Sequence, residues 1–481
     1  MKILLVKPPL NRRLIAPSRG EPLELEYLAA AVKEHDVEIL DMRIDPHLVQ
    51  KLETFKPHFV GLTGYTCDAN SAKAVMKEVK KFDGKIITGV GGHHATFLPS
   101  DFALPFVDVV FLGMADLTFK EYIRVQEEGE DARSINNLAL RSEGGLFFTK
   151  PALFTIDLDE LPFPARHLTL HYQKKYRDQY RNRTVMVLTS RGCPFRCNFC
   201  ACWKLLGGKY LVRSPESVVA ELKALSEETD LIFFADDNTL HNVNHARRLC
   251  RLIEESGIRR KFSMFARADT IVRHPDLIES LRNIGLIYLT VGIESFRDED
   301  LDAMRKKTTV AMNNEAIRIL QKVGIANGAH FIVDPNFKRE DFRLLLQYVK
   351  DHNLFQPVFT VLTPYPGTDL YLENQERILI KDFDYYDVMH SIFPTRLSRK
   401  VFYRELERLY LRSYGFRRYV RSRLRELWGK LIDSKRRKFV PPDRLPFLIT
   451  LFLQFATLPL RWKYRRLYKS EPIGVKPAGY A

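Results

Sequence analysis

Cysteine is scarce in this sequence: there are six in 481 residues, and three of them crowd between positions 193 and 200. Cys67, Cys202 and Cys250 form no paired pattern, which excludes a disulfide-stapled scaffold. Long apolar runs are missing too. A spanning helix needs ~20 apolar residues, and the best candidate, residues 445–460, is broken by Pro446 and Pro459. The opening run 1–6 is short, ends at Pro8 and Pro9, and does not read as a secretory leader. These shortages predict a protein of a reducing cytoplasm. Acidic residues are thin only at one end. Residues 396–481 hold 23 Lys/Arg against 6 Asp/Glu, while the whole chain carries a formal +16. The body is therefore near neutral. The basic excess flanks an apolar run rather than a polar groove, which disfavours nucleic acid as a partner.

What the sequence concentrates in one place is Ser190-Arg191-Gly192-Cys193-Pro194-Phe195-Arg196-Cys197-Asn198-Phe199-Cys200. The loop follows an apolar β-type run at 184–188, and its C-x3-C-x2-C spacing aims three thiolates at one place. A cubane iron–sulfur cluster usually takes four cysteines; three leave one iron open to a small molecule. A zinc site is the rival, with Cys202 completing a four-thiolate set. Structural zinc sites usually come as two separated pairs, and no second pair is present.

Around this loop the chain divides in order. Residues 1–135 alternate apolar runs (2–6, 37–40, 59–63, 85–88, 107–112) with helical patterns (23–34, 70–81), predicting a doubly wound, Rossmann-like α/β domain. Ligands bind at the carboxyl ends of such strands. Those ends carry Gly61-Leu62-Thr63-Gly64-Tyr65, Gly89-Val90-Gly91-Gly92-His93-His94 and Gly113. Glycine there either admits a closely approaching ligand or only makes a turn. Residues 136–182 read as a linker, with a hairpin about Glu143-Gly144-Gly145 and a Pro-punctuated stretch at 157–164. Residues 183–370 repeat strand then helix six times, predicting a partial (β/α)6 barrel. Its strand ends carry Asp236-Asp237-Asn238, Arg267-Ala268-Asp269, Gly292-Ile293-Glu294-Ser295 and Asp334. Singly, each reads as a helix cap; in register with the cysteine loop they outline a pocket. His330 lies on the fifth strand of this set, facing core or pocket according to register. Residues 371–481 break the rhythm and predict a basic, mostly helical region. Helix is expected over 398–438, and then an amphipathic apolar segment at 445–469 bearing Trp462 and Tyr464. That segment fits a membrane interface or a helix packed on the barrel.

The three-cysteine loop and the strand-end pattern resemble the radical SAM superfamily. The glycine-bearing domain ahead of them resembles the cobalamin-binding domain of its B12-dependent class. The resemblance implies a 4Fe–4S cluster on Cys193, Cys197 and Cys200, whose open iron chelates S-adenosylmethionine (SAM). It implies SAM contacts from Phe199, Asp236, Asp237, Arg267, Glu294 and Ser295. It implies cobalamin lined by Thr63, Gly64, Tyr65, Gly91, Gly92, His93 and Gly113. Three departures stand out: no histidine in the loop at 7–13, where many B12 domains carry D-x-H-x-x-G but the radical SAM class commonly does not, which implies cobalt without a lower histidine ligand; Gly113-Met114-Ala115-Asp116 in place of G-E-G-E; and Asp334-Pro335-Asn336 where G-x-P-G-E often occurs. The chain is similar to the class B methylases, of the hopanoid C-3 methylase or anaerobic magnesium-protoporphyrin ester cyclase kind. That implies methylation of an unactivated carbon on a lipophilic polycycle. Cyclisation or rearrangement without methyl transfer is the alternative, and an iron–sulfur electron carrier a more distant one. A reductant such as flavodoxin or ferredoxin is the implied partner, with peripheral contact to the cytoplasmic membrane face through 445–469.

Overall fold

The structure, a computed structural model, describes residues 1–10, 18–152, 156–178, 182–354 and 357–413. The early apolar runs form five parallel strands: β1 (Lys2–Lys7), β2 (Asp36–Asp41), β3 (Phe59–Thr63), β4 (Ile87–Gly91) and β5 (Val109–Phe111). Their spatial order is β2-β1-β3-β4-β5. They are apolar almost throughout because both faces are covered. One face buries Leu4, Val6, Leu62 and Val90 with Ala72, Val75 and Met76 of the helix Ala69–Phe82. The other buries Ile3, Leu5, Phe59 and Phe111 with the helices Leu23–Ala31 and Asp116–Glu128. β4 starts two residues later than the apolar run at 85–88 suggests, because Ile86 donates back to the Asp83 carbonyl and closes a turn there.

The hairpin of β6 (Leu138–Ser142) and β7 (Gly145–Phe148) adds antiparallel to β5, making a seven-stranded sheet. The pair expected in the linker is thus the edge of this sheet. After β8 (Thr184–Val187), the short strands β9 (Ser190–Arg191) and β10 (Leu211–Val212) pair antiparallel and bracket the cysteine loop. Then come β11 (Leu231–Phe234), β12 (Phe262–Ala266), β13 (Leu286–Glu294), β14 (Ala326–Val333) and β15 (Val358–Val361). With β8 they form one six-stranded parallel sheet, β8-β11-β12-β13-β14-β15. The helices between start where capping side chains stand: Ser214, Asn242 and Thr309 accept the backbone N–H of Ser217, His245 and Met312. All six strand ends reach one rim, as in a β/α barrel.

The helix Arg399–Ser413 lays Phe402, Tyr403, Leu406 and Leu409 on the barrel's outer core. The rest of the helix expected over 398–438, and the segment 445–469, lie outside the described residues. Among the described residues no helix is long and apolar enough to cross a membrane.

The two sheets meet through buried charge. Arg191 grips Asp116 with two bonds of 2.6 and 3.0 Å. Arg166 reaches Glu21 at 3.3 Å, the Met186 carbonyl at 2.6 Å and Glu221 at 2.7 Å. Beside this network Glu26 is fully buried, its carboxylate accepting the Thr169 hydroxyl at 2.5 Å. Burial, with repulsion from Glu21, pushes the Glu26 carboxyl up to about 8 from 4.5. Its folded value exceeds the unfolded one. Its contribution to stability is therefore complete below pH ~4.5 and lost as pH rises through ~8. Glu26→Gln is expected to flatten the fall in urea midpoint between pH 5 and pH 8. The difference at pH 8 should be on the order of a few kcal/mol. Parallel slopes for variant and parent would refute burial of this carboxyl as the cause.

Candidate active site

Asp236 and Asp237, at the carboxyl end of β11, fix the cysteine loop. Asp236 is 2% exposed and accepts the Thr189 N–H at 2.7 Å, the Thr189 hydroxyl at 2.6 Å and the Ser190 N–H at 2.9 Å. Asp237 accepts the Gly192 N–H at 3.0 Å. Gly192 turns with φ +86°, and a Cβ there would run into the Lys209 carbonyl, so the turn requires glycine. On the far side Asn198 donates to the Met304 and Ala303 carbonyls at 3.1 and 2.9 Å and accepts from Leu370 at 2.9 Å. Trp203 donates to the Cys197 carbonyl at 3.3 Å.

Cys197 is buried, and Cys193 and Cys200 are half-buried. Burial pushes the Cys193 and Cys197 thiols up; Lys306 and Arg267 pull Cys197 the other way. A hydrogen bond from Cys202 holds Cys200 below the ordinary thiol range. Among the described residues no three His, Cys, Asp or Glu side chains converge on a single ion. A cubane needs no such point, since each thiolate meets a different iron.

Two cavities open beside this loop. The first, of about 310 Å³, lies at the barrel rim and is lined by Phe199, Asp237, Arg267, Glu294, Lys306 and His330 among others. Glu294, Lys306 and Arg267 are already held in ion pairs. A register shift between Gly292 and Glu294 breaks the β13–β14 ladder, and Glu294 adopts φ +61°, rare for a residue with a Cβ. Its carboxylate thereby lies over Gly292 and accepts Lys306 Nζ at 2.7 Å. Arg267 donates to Asp269 at 3.0 Å and to the Lys306 carbonyl at 2.6 Å, and its guanidinium sits 3.6 Å from the centre of the Phe195 ring.

The second cavity, of about 340 Å³, lies between the strand ends of the first sheet and the β8–β9 edge of the barrel. Thr63, Tyr65, Gly91, Gly92, His93 and Gly113 line it over a floor that includes Leu5, Leu23, Phe59 and Phe111. A Cβ at Gly61 or Gly89 would meet the Phe59 ring at 2.9 or 2.7 Å, so glycine keeps this floor open. Asp237 lines both cavities.

A radical SAM superfamily model matches residues 187–349, and a B12 binding domain model matches residues 15–123. An uncharacterized methyltransferase of Pyrococcus horikoshii is 30% identical over 386 residues, 77% of this chain and 82% of that one. This chain belongs to the radical SAM superfamily, in the branch that carries a B12-binding domain. The hopanoid C-3 methylase of Methylococcus capsulatus is 28% identical over 430 residues, 87% of this chain and 81% of that one. The radical SAM methyltransferase TsrM of Kitasatospora setae, solved with cobalamin and a [4Fe-4S] cluster, is similar in fold. Its TM-score is 0.65 at 20% identity over 78% of this chain and 75% of that one. The protein is an enzyme of the B12-dependent radical SAM methyltransferase family, with a 4Fe–4S cluster, SAM and cobalamin as cofactors.

The residues present fit those groups. Three thiols stand free of disulfides on one loop, the rim cavity offers both signs of charge to a zwitterion, and the second cavity is a glycine-edged slot with an apolar floor. Of the six SAM positions expected from sequence, Phe199, Asp237, Arg267 and Glu294 line the rim cavity. Asp236 and Ser295 do not. Asp236 is engaged by the loop, and the Ser295 hydroxyl donates to Asp300 at 2.6 Å while accepting Arg297 N–H at 3.2 Å. Of the seven cobalamin positions, Gly64 alone does not line the slot; it packs on Asp68 instead. Among the lining residues outside the expected set are Lys306 and His330. Lys306 sits in a turn between two exposed basic residues, Arg305 and Lys307, and nothing local in sequence separates it from them. His330 shares the inward face of β14 with Ile332, a register that only strand pairing fixes. Gly292→Ala would press a methyl group into the Glu294–Lys306 pair. We expect SAM affinity by equilibrium dialysis to fall roughly tenfold, with the thermal midpoint lowered by a few degrees, the scale of ~1 kcal/mol of overpacking. Unaltered affinity would place that pair outside the SAM site.

Proposed function

We propose that this enzyme methylates an unactivated carbon of a lipophilic, polycyclic small molecule of hopanoid type. The observation that carries this reading is the wall shared by the two cavities at Asp237. A substrate at that junction lies within reach of both cofactors. The β14–β15 side of the rim cavity is apolar, with Ile332, Val361, Leu362 and Val388, which suits such a molecule. The likeness to the hopanoid C-3 methylase supports the same class.

In this reading Cys193, Cys197 and Cys200 hold the cluster, and Phe199 shields it. Asp237 accepts the SAM ammonium, Arg267 and Lys306 face its carboxylate, and Glu294 takes the ribose hydroxyls. Asp236 and Ser295 are positioning residues, one for the loop and one for the turn after β13. Thr63, Tyr65, Gly91, Gly92, His93 and Gly113 surround the cobalamin. When bound, the reduced cluster supplies the electron that cleaves SAM, and the methylated corrinoid supplies the methyl group. The chain's own work is to bind, to orient and to keep water out of the space between. A flavodoxin or ferredoxin is the proposed electron source. The sequence of 445–469, which lies outside the described residues, suits peripheral contact with the cytoplasmic membrane face.

The test is anaerobic. Reconstituted enzyme is incubated with SAM, dithionite and a bacterial lipid extract, and products are read by mass. A lipid product heavier by one methylene, formed with both 5′-deoxyadenosine and S-adenosylhomocysteine, is expected. 5′-Deoxyadenosine without S-adenosylhomocysteine would replace methylation by rearrangement or cyclisation. Single Cys193→Ala, Cys197→Ala and Cys200→Ala variants should each lose most of the iron and sulfide, whereas Cys202→Ala should retain both. Zinc in place of iron and sulfide would sink the scheme.

A further inference from the structure

We propose that His330 hydrogen-bonds a hydroxyl group of the substrate and so selects an oxygenated polycycle over the bare hydrocarbon; this rests on the rim cavity receiving a polycyclic substrate beside SAM. Most polar groups that line this cavity are already engaged by the protein. Glu294 holds Lys306, and Arg267 holds Asp269. Asp237 accepts the Gly192 N–H. The Thr360 and Thr363 hydroxyls donate to the Phe331 and Val361 carbonyls at 3.3 and 2.9 Å, and the Tyr365 hydroxyl donates to the Tyr386 carbonyl at 3.0 Å. Asn238 is buried with both amide atoms unpartnered, but it adjoins Asp237 and belongs to the SAM end. His330 and Thr290 remain. Both line the cavity, and among the described residues no group hydrogen-bonds the His330 ring or the Thr290 hydroxyl.

Strand pairing brings these two side chains together. β13 and β14 run parallel, with Thr290 opposite Gly328 and Gly292 opposite His330. Residues two apart on a strand share a face, so Thr290, His330 and Ile332 all look into the cavity. The residues beside His330 in register are Gly292 and Val358, and neither offers a polar side chain. The charges that face the ring are Glu294 and Lys306, which are bonded to each other at 2.7 Å. Burial lowers the His330 proton affinity and leaves a neutral imidazole, with one donor and one acceptor nitrogen. A hydroxyl group has the same complement. Around the pair the wall is apolar, with Phe265, Ile332, Val361 and Leu362. A few fixed polar groups in such a wall set the orientation of a lipophilic ligand. A hydrocarbon filling this space leaves His330 and Thr290 dry and unpaired, whereas an alcohol satisfies them, and that difference is the source of selectivity.

The test uses the full-length reconstituted holoenzyme with SAM and dithionite. Two pentacyclic triterpene alcohols, one hydroxylated on a terminal ring and one on the side chain, are each offered at equal concentration against the hydrocarbon of the same skeleton. Methylated products are read by mass. The parent is expected to favour one alcohol roughly tenfold or more. His330→Leu should bring that ratio near one while keeping the hydrocarbon product and the SAM affinity read by equilibrium dialysis. His330→Gln, which keeps a donor and an acceptor, should restore part of the preference. Equal methylation of alcohols and hydrocarbon by the parent, or a preference that survives His330→Leu, would overturn the proposal while leaving methylation of a polycycle in place. A fall of about tenfold in SAM affinity in His330→Leu would assign the ring to SAM and also overturn it. If His330→Leu did not fold, His330→Phe is read in the same way; failure of both to fold would make His330 a structural residue and end the proposal. A parent that cleaves SAM yet methylates none of the probes would remove the substrate class itself, and this inference with it.

Discussion

Two neighbouring carboxylates hold the centre of this molecule together. Asp236 and Asp237, just past the end of β11, face opposite ways. Asp236 turns into the protein and gathers three donors from Thr189 and Ser190. Asp237 turns toward the cavities and holds Gly192. Burial pushes Asp236 up to about 6 even against the hydrogen bonds that pull it down, so the site bears a real desolvation cost. The donors offset it, and the result is a cysteine loop whose first residues cannot drift from the barrel rim. Remove that anchor and the thiols, the rim cavity and the slot lose their common wall.

The charged groups of the rim are arranged before any ligand arrives. Glu294 with Lys306, and Arg267 with Asp269, are ion pairs whose side chains are each about a tenth exposed or less. Such pairs contribute little to stability in themselves, since desolvation cancels much of the attraction. Their value is preorganisation: a dry site with fixed charges need not reorganise when a charged ligand enters. The bulge after Gly292 belongs to the same logic. It breaks a ladder and holds Glu294 in an unfavourable backbone region, and in exchange the carboxylate leans back over the cavity instead of continuing along the strand.

The two sheets are tied to each other by Arg191, which crosses from the barrel side to Asp116, and by Arg166 of the linker, which reaches Glu21 on one side and Glu221 on the other. The loop at 365–390 closes the other flank. Gly367 fits against Phe97, and Asn70 donates to Asp382 at 2.8 Å. Facing rims follow from these contacts, and with them the shared wall at Asp237. A rigid joint of this kind suits chemistry in which two cofactors must serve one carbon.

The sequence by itself determined the strand and helix order and the identity of the three thiols. It also marked most of the strand-end residues that line the cavities, because short unbroken apolar runs, capping residues and a fixed cysteine spacing are local signals. It could not separate Asp236 from Asp237, or His93 from His94. In each pair two identical side chains are adjacent, and only pleat and turn geometry decide which faces a cavity. Lys306 was illegible because its meaning comes from Glu294, twelve residues away and across a bulge. Ser295 reads as a ligand in the sequence, while in the structure its hydroxyl is engaged by Asp300 and the Arg297 N–H in the turn after β13. The hairpin at 138–148 looked like a connector and became a sheet edge, since pairing with β5 is a long-range choice. Local chemistry fixed what each segment can do; tertiary packing decided which groups meet, because burial and the direction of a side chain belong to the assembled rim and not to the chain.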